Sequence, residues 1–334
     1  TPQTIDACFN HDGRGPVPGI KDENHDWNTE GHAQRIVVVD DDALSLFAKL
    51  YDEEGTPPRE ARLSAVHSQQ ILEVLRRFAE QPQRLGDLDD EYFSLEMWHE
   101  TNAQEDGTIE RDTQFIDDVE DWVLSGPHFF VATPLYKSPR AQCTSNLAYD
   151  EIDLTEIPAN YLPRTNYVPA CSRDEYRRRT PKVPWTNEED KQKPVTEFYR
   201  HLNRRDVGSS SMRTLTPTII PKGASHLYTG YAAIFKDREL MLYFNGLCSS
   251  VPYDFFVKST GKGHVLGDLL SLLALPESSD ALTEQIISRN LLLNSLTTHY
   301  ADLWENSWQD AFIDDTWTKD DPRLNADTDF SDLT

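Results

Sequence analysis

Apolar residues recur at helical spacing in only a few places along this chain. From Ala61 to Ala79, Leu63, Val66, Ile71, Val74, Leu75 and Phe78 share one face, which predicts an amphipathic helix. A shorter helix is expected just before it, in ALSLFAKLYDEEG, closed by Gly55. VLGDLLSLLALPE predicts another, stopped by Pro276, and a long C-terminal helix is expected from about Leu282 to Trp308. Thr196 to Asn203 also reads as helical. Strands are predicted for RIVVVDDD, HFFVA, TLTPTIIP, GASHLYTGYAAIF, ELMLYFNGLCSS and VPYDFFVKS, all short, apolar or β-branched, and bounded by turn residues. The first thirty residues are polar and read as turns and loop, and IDLTEIPANYLPRTNYVPA and RTPKVPW are punctuated by proline into extended backbone. The expected fold class is α+β, with helices flanking a β-containing centre.

Composition supports a folded chain of about two domains' length: 334 residues, 38% hydrophobic and 10% aromatic, with seven Trp. The net charge of −25 argues at first against any polyanionic partner. Its distribution changes that. Residues 1–160 carry −21, residues 161–262 carry +7, and residues 263–334 carry −11. A basic middle between acidic flanks can hold a patch for a polyanion, or its cations can pair with the flanks as ordinary surface ion pairs. The expected organisation is a polar segment 1–34, an acidic α/β connecting domain 35–157, a basic domain 158–276, and a helical segment with a polar tail 277–334.

Other chemistry is thinly signalled. Cys8, Cys143, Cys171 and Cys248 are scattered, without a Cys-x-x-Cys, which points away from zinc and disulfides and toward a reducing cytoplasm. No apolar run approaches the ~20 residues that span a bilayer, so no membrane partner is expected. The chain opens at Thr1 rather than Met, and a segment of something longer is expected. GKGHVLG at 261–267 departs from the dinucleotide and P-loop spacings, and a plain turn is expected, with contact to a backbone phosphate as the alternative. His99, Glu100 and Asp106 lack the second histidine of a zinc helix, and Ser125 lies outside a nucleophile elbow. The basic middle is richer. Guanidinium groups, amides and aromatic rings are interleaved there, suited respectively to phosphate or guanine, adenine, and a displaced base.

The runs SGPHFFVATPLYKSPR, YDEIDLTEIPANYLPRTNYVPAC, EYRRRTPKVPW, RTLTPTIIPKGASHLYT, VPYDFFVKSTGKGH, LTTHYADLWENSW and WTKDDPRL together resemble the downstream part of large fused adenine-N6 DNA methylases of type IIG restriction-modification and phage-defence systems. The likeness extends from about Pro58 to Leu324. It implies a target-recognition domain that binds double-stranded DNA beside a methyltransferase domain of the same polypeptide. S-adenosylmethionine is then the parent protein's cofactor, with none bound by this chain. The catalytic (Asp/Asn/Ser)-Pro-Pro-(Tyr/Phe) tetrapeptide is absent, since the one Pro-Pro pair, Pro57-Pro58, sits in GTPPRE. No catalytic residue is therefore expected here. Whether the parent also cuts DNA is left open.

The DNA-contacting set expected from this reading is Arg164, Asn166, Tyr167, Arg177, Arg178, Arg179, Lys182, Arg200, Arg204, Arg205, Arg213, Lys222, Lys258 and Lys262. Most of the cations would hold phosphates, and a few Arg and Asn would read base edges. The rival expectation is a protein-interaction segment that docks the methylase to partner subunits, with the basic middle neutralised internally.

Overall fold

The computed structural model describes residues 1–24, 26–186, 192–208 and 211–315. Helices and small sheets share the chain, a mixed α+β fold. Contacts divide it into two units, one of Thr1–Gly86, Phe255–Lys262 and Ser271–Glu277, the other of Asp87–Asp254, Gly263–Leu270 and Ser278–Thr334. Among the described residues no helix is long and apolar enough to cross a membrane.

The first unit is helical. Its opening helix α1 (Pro2–Asn10) lies where only loop was expected, because Thr1 and Thr4 form a reciprocal capping box and Pro2 stands at the first helical position. Helix α2 (Asp41–Tyr51) is capped by the Asp40 carboxylate, which accepts from Ala43 N at 2.9 Å. RIVVVDDD forms no strand: Val38 and Val39 are exposed, and the acids that follow begin α2. The amphipathic pattern from Ala61 is helical only as α3 (Gln69–Ala79), since Ser68 is extended and Leu63 projects into solvent. Phe47, Tyr51, Phe256 and Phe78 form a chain of ring contacts through this core, with Leu72, Leu75 and Leu85 buried around them.

The second unit is built on an antiparallel sheet. Its strands and helices are, in chain order, β1 (Tyr92–Leu95), α4 (Glu100–Glu105), β2 (Ile109–Gln114), β3 (Val123–Leu124), β4 (Lys137–Pro139), β5 (Tyr149–Glu151) and β6 (Thr165–Pro169). There follow α5 (Arg173–Arg179), β7 (Lys182–Thr186), β8 (Gln192–Pro194), β9 (Arg200–Arg204), β10 (Pro217–Ile220), β11 (Ser225–His226) and β12 (Gly230–Phe235). Four of these strands make the main sheet, in the order β1-β12-β9-β10, and the others pair as two-stranded ribbons, β2 with β6 and β4 with β5 among them.

Two predicted strands are helices. ELMLYFNGLCSS forms α6 (Arg238–Ser249), and VPYDFFVKS forms α7 (Val251–Ser259), which gives its residues up to Asp254 to the second unit and the rest to the first. A continuous apolar run has no period that separates strand from helix. In α6 the Asp237 carboxylate decides the matter, capping the helix by accepting from Leu240 N at 3.0 Å. HFFVA is the end of a 3-10 turn and a tight turn closed by a Phe130–Thr133 bridge rather than a strand, with Phe129 fully buried and Ala132 at φ 57. Thr196 to Asn203 is a short 3-10 turn running into β9. VLGDLLSLLALPE is helical only over Gly267–Leu270 (α8), and the long C-terminal helix is two, α9 (Asp280–Asn294) and α10 (Ala301–Ser307), separated by a turn at Thr297. The run WTKDDPRL and the polar tail lie outside the described residues.

Side chains of α6, α9 and the 3-10 turn before α10 bond to strand β10. Asn294 Oδ1 accepts from Ile219 N at 2.8 Å, Asn245 Nδ2 donates to Thr218 O at 3.0 Å, and Tyr300 Oη donates to Ile219 O at 2.9 Å.

Candidate functional site

The arginines of α5 are placed by the helix itself. Ser172 Oγ caps it by accepting from Glu175 N, Asp174 and Glu175 occupy its first turn, and Arg177, Arg178 and Arg179 occupy its last, so both charge signs oppose the helix dipole. The same helix neutralises its cations. Arg178 donates Nε and Nη2 to the two Glu175 oxygens, each at 2.7 Å, and Arg179 Nε reaches Glu175 at 2.6 Å. Arg179 Nη1 also donates to Asp106 O and Thr108 Oγ1, both at 2.8 Å, and Arg177 pairs with Glu197. Hydrogen bonds from Arg178 and then Arg179 hold the Glu175 carboxyl down to about 2. Arg177 and Arg178 remain 63% and 72% exposed, so these are surface pairs of small individual worth.

Several other expected contacts are interior groups. Arg200 is fully buried in β9: Nη2 donates to Ala224 O, while Nε and Nη1 have no hydrogen-bond partner among the described residues. Burial pushes its guanidinium down to about 9. A side chain locked in the sheet cannot reach a duplex, and the expected role is withdrawn. Tyr167 is buried as well and donates to Glu100, its hydroxyl raised first by desolvation and then by that carboxylate. Asn166 spends its amide inside, accepting from Thr113 Oγ1 at 3.0 Å and donating to Tyr149 Oη at 2.9 Å and Cys143 Sγ at 3.2 Å. Arg213 lies against Asp254 and donates to the Ser249 carbonyl at 2.9 Å.

The remainder divides between engaged and accessible groups. Arg205 Nε sits 2.8 Å from Glu96, with its guanidinium 5.3 Å over the Tyr228 ring, and Lys222 pairs with Asp302. Arg164 is half-buried and stacks 4.2 Å over the exposed Phe115 ring. Lys182 is exposed on β7; Lys258 and Lys262 belong to the first unit. His99 stacks on Tyr228 at 4.8 Å, and Asp106 holds the turn after α4 by accepting from Thr108.

One cleft of about 540 Å³ in the second unit brings three of the expected residues, Asn166, Tyr167 and Arg204, together with others that were not expected. Arg111, Lys137 and Arg204 bring cations, Phe130, Tyr136 and Tyr149 bring rings, and Ser145, Asn146 and Thr229 bring polar groups. Main-chain carbonyls aim two of the cations. Arg111 donates Nη2 to Cys143 O at 2.5 Å, and Arg204 donates Nε to Gly126 O at 3.1 Å and Nη2 to Phe129 O at 2.8 Å. Tyr136 is held by donating to Glu151 at 2.7 Å, and its ring lies 5.2 Å from that of Phe130 and 5.0 Å from Lys137 Nζ. The cleft's two carboxylates are engaged elsewhere, Glu100 by Tyr167 and Asp206 by His264 at 2.9 Å.

Charge averaging hid most of this site from the sequence. Arg111 and Lys137 fall in the segment of net −21, although SGPHFFVATPLYKSPR carries the aromatic and cationic run in plain view. A serine and histidine do meet at the cleft wall, with Ser125 Oγ 3.1 Å from His128 Nδ1. His128 Nε2 donates to the Arg164 carbonyl at 3.0 Å, and burial lowers the imidazole to about 4. Tyr149 Oη, 2.9 Å from Ser125 Oγ, is pushed up to about 12 by desolvation and remains a neutral hydrogen-bonding group.

No model of a known protein family matches this chain, and neither does any curated protein.

Proposed function

We propose that the chain is the DNA sequence-recognition part of an S-adenosylmethionine-dependent adenine-N6 DNA methyltransferase, non-catalytic by itself and working in the cytoplasm beside a methyltransferase domain of the same polypeptide. The observation that carries this reading is the cleft of the second unit, where Arg111, Lys137 and Arg204 stand among aromatic rings and amide groups. Cations with π-faces and amides are the side-chain chemistry of nucleic-acid recognition. The likeness to adenine-N6 methylases supports the same conclusion from the sequence, and four free cysteines suit a reducing compartment. S-adenosylmethionine would be bound by the methyltransferase domain.

The internal pairing of Arg177, Arg178, Arg179, Arg205 and Lys222 favours a second reading, a protein-docking segment whose basic middle is already neutral. Duplex binding by the chain at low and moderate salt separates the two. The DNA reading expects affinity that falls steeply with salt, by about 0.9 in log–log slope for each phosphate contacted. Absence of binding at low salt, or binding indifferent to salt, would leave the docking reading in possession.

A further inference from the structure

The cleft of the second unit has the dimensions of a small-ligand site rather than of a duplex groove. At about 540 Å³ it lies within the roughly 300–1,000 Å³ of such sites, and a continuous base-paired helix cannot enter it. Its walls nonetheless carry what a nucleotide offers partners to. Phe130 and Tyr136 are half-buried with their rings 5.2 Å apart, and Tyr136 is fixed by its hydrogen bond to Glu151. Lys137, which shares the Glu151 carboxylate with Tyr136 at 3.3 Å, and the carbonyl-held Arg111 and Arg204 supply positive charge, while Thr229, Ser145 and Asn146 supply hydrogen-bonding groups.

We infer that this cleft takes a single unpaired nucleotide of a DNA strand, its base against the Phe130–Tyr136 wall and its phosphate toward Arg111 and Lys137. The inference rests on the DNA reading above and adds to it the state of the DNA that is bound. A peptide carboxylate would use the cations and leave the rings idle. A paired duplex would use neither the depth nor the rings. Two of the three cations are held by main-chain carbonyls, so little ordering is required when the ligand arrives.

The test compares the full chain's affinity for a perfect duplex with its affinity for the same duplex carrying one unpaired nucleotide. The expected preference for the unpaired nucleotide is about tenfold, the scale of one base–aromatic stacking contact. Tyr136→Ala should bring the ratio of the two affinities to about one, and Tyr136→Phe, which keeps the ring, should restore it. A ratio near one in the unaltered chain, or one that survives Tyr136→Ala, overturns the inference while leaving duplex recognition standing. Binding of free deoxynucleoside monophosphate that is tighter than binding of the unpaired nucleotide in DNA overturns it in favour of a free nucleotide. Binding to neither DNA removes the DNA reading and this inference together.

Discussion

Three wholly buried histidines set the acid limit of the second unit. Desolvation lowers His128 to about 4 and His201 and His226 to about 3, against an unfolded value of 6.5. Between those values the unfolded chain binds protons that the folded chain refuses, so the stability they confer is complete above pH 6.5 and drains away as pH falls. At about pH 5.5 the loss is on the order of 1 kcal/mol per histidine, above the range where carboxylates titrate. A urea midpoint that drops between pH 7.5 and about 5.5 is expected, and an unchanged one would contradict the burial described. His201 also fixes a tautomer. Asn245 donates to both Thr218 O and His201 Nδ1, so the ring carries its proton on Nε2, and Asn203, 2.5 Å away, must present its amide oxygen to that N–H. Arg200 is a fully buried guanidinium, two of whose nitrogens have no hydrogen-bond partner among the described residues. Arg200→Met should be neutral or stabilising by up to ~2 kcal/mol in chemical denaturation. A loss of more than ~2 kcal/mol would mean that the guanidinium has compensation beyond its bond to Ala224.

At the scale of elements, helix α5 explains why a run of three arginines is a poor index of a binding surface. Ser172, Glu175 and Arg177–Arg179 satisfy helix-end electrostatics, and Glu175 occupies on Arg178 and Arg179 the place a phosphate would take. Glu175→Gln removes that competitor's charge. It should raise duplex affinity severalfold and steepen its salt dependence. An unchanged affinity would show that these arginines face away from DNA. The elements themselves were unevenly legible. Helices α2 and α3 and strands β10 and β12 follow from pattern and turn residues, because each buries a single face or lies between clear breakers. Helices α6 and α7 did not, since α6 is buried around most of its circumference and only the Asp237 cap distinguishes it from a strand. Helix α1 was missed for the opposite reason: it is short and mostly exposed, held by its cap more than by apolar periodicity.

For the whole molecule, charge gives the clearest lesson. The net −25 conceals a basic middle, and the net +7 of that middle in turn conceals arginines that are buried or already paired. Sequence composition reports how many cations a segment holds, whereas a binding surface depends on which of them the fold leaves accessible and gathers in one place. That depends on contacts between residues far apart in the chain, such as Arg205 with Glu96 and Lys222 with Asp302. The α+β class was legible because it sums over many local preferences. The cleft was not, because β2, β4, β6 and β9 bring its walls together from separate stretches. The central claim is that this cleft carries the DNA interface. Its most direct test is the salt dependence of affinity for a duplex carrying one unpaired nucleotide, measured for the unaltered chain and for the Arg111→Ala, Lys137→Ala double variant. The account predicts that the double variant binds more weakly and loses about 2 from the log–log slope. An unaltered slope and affinity in that variant would contradict it.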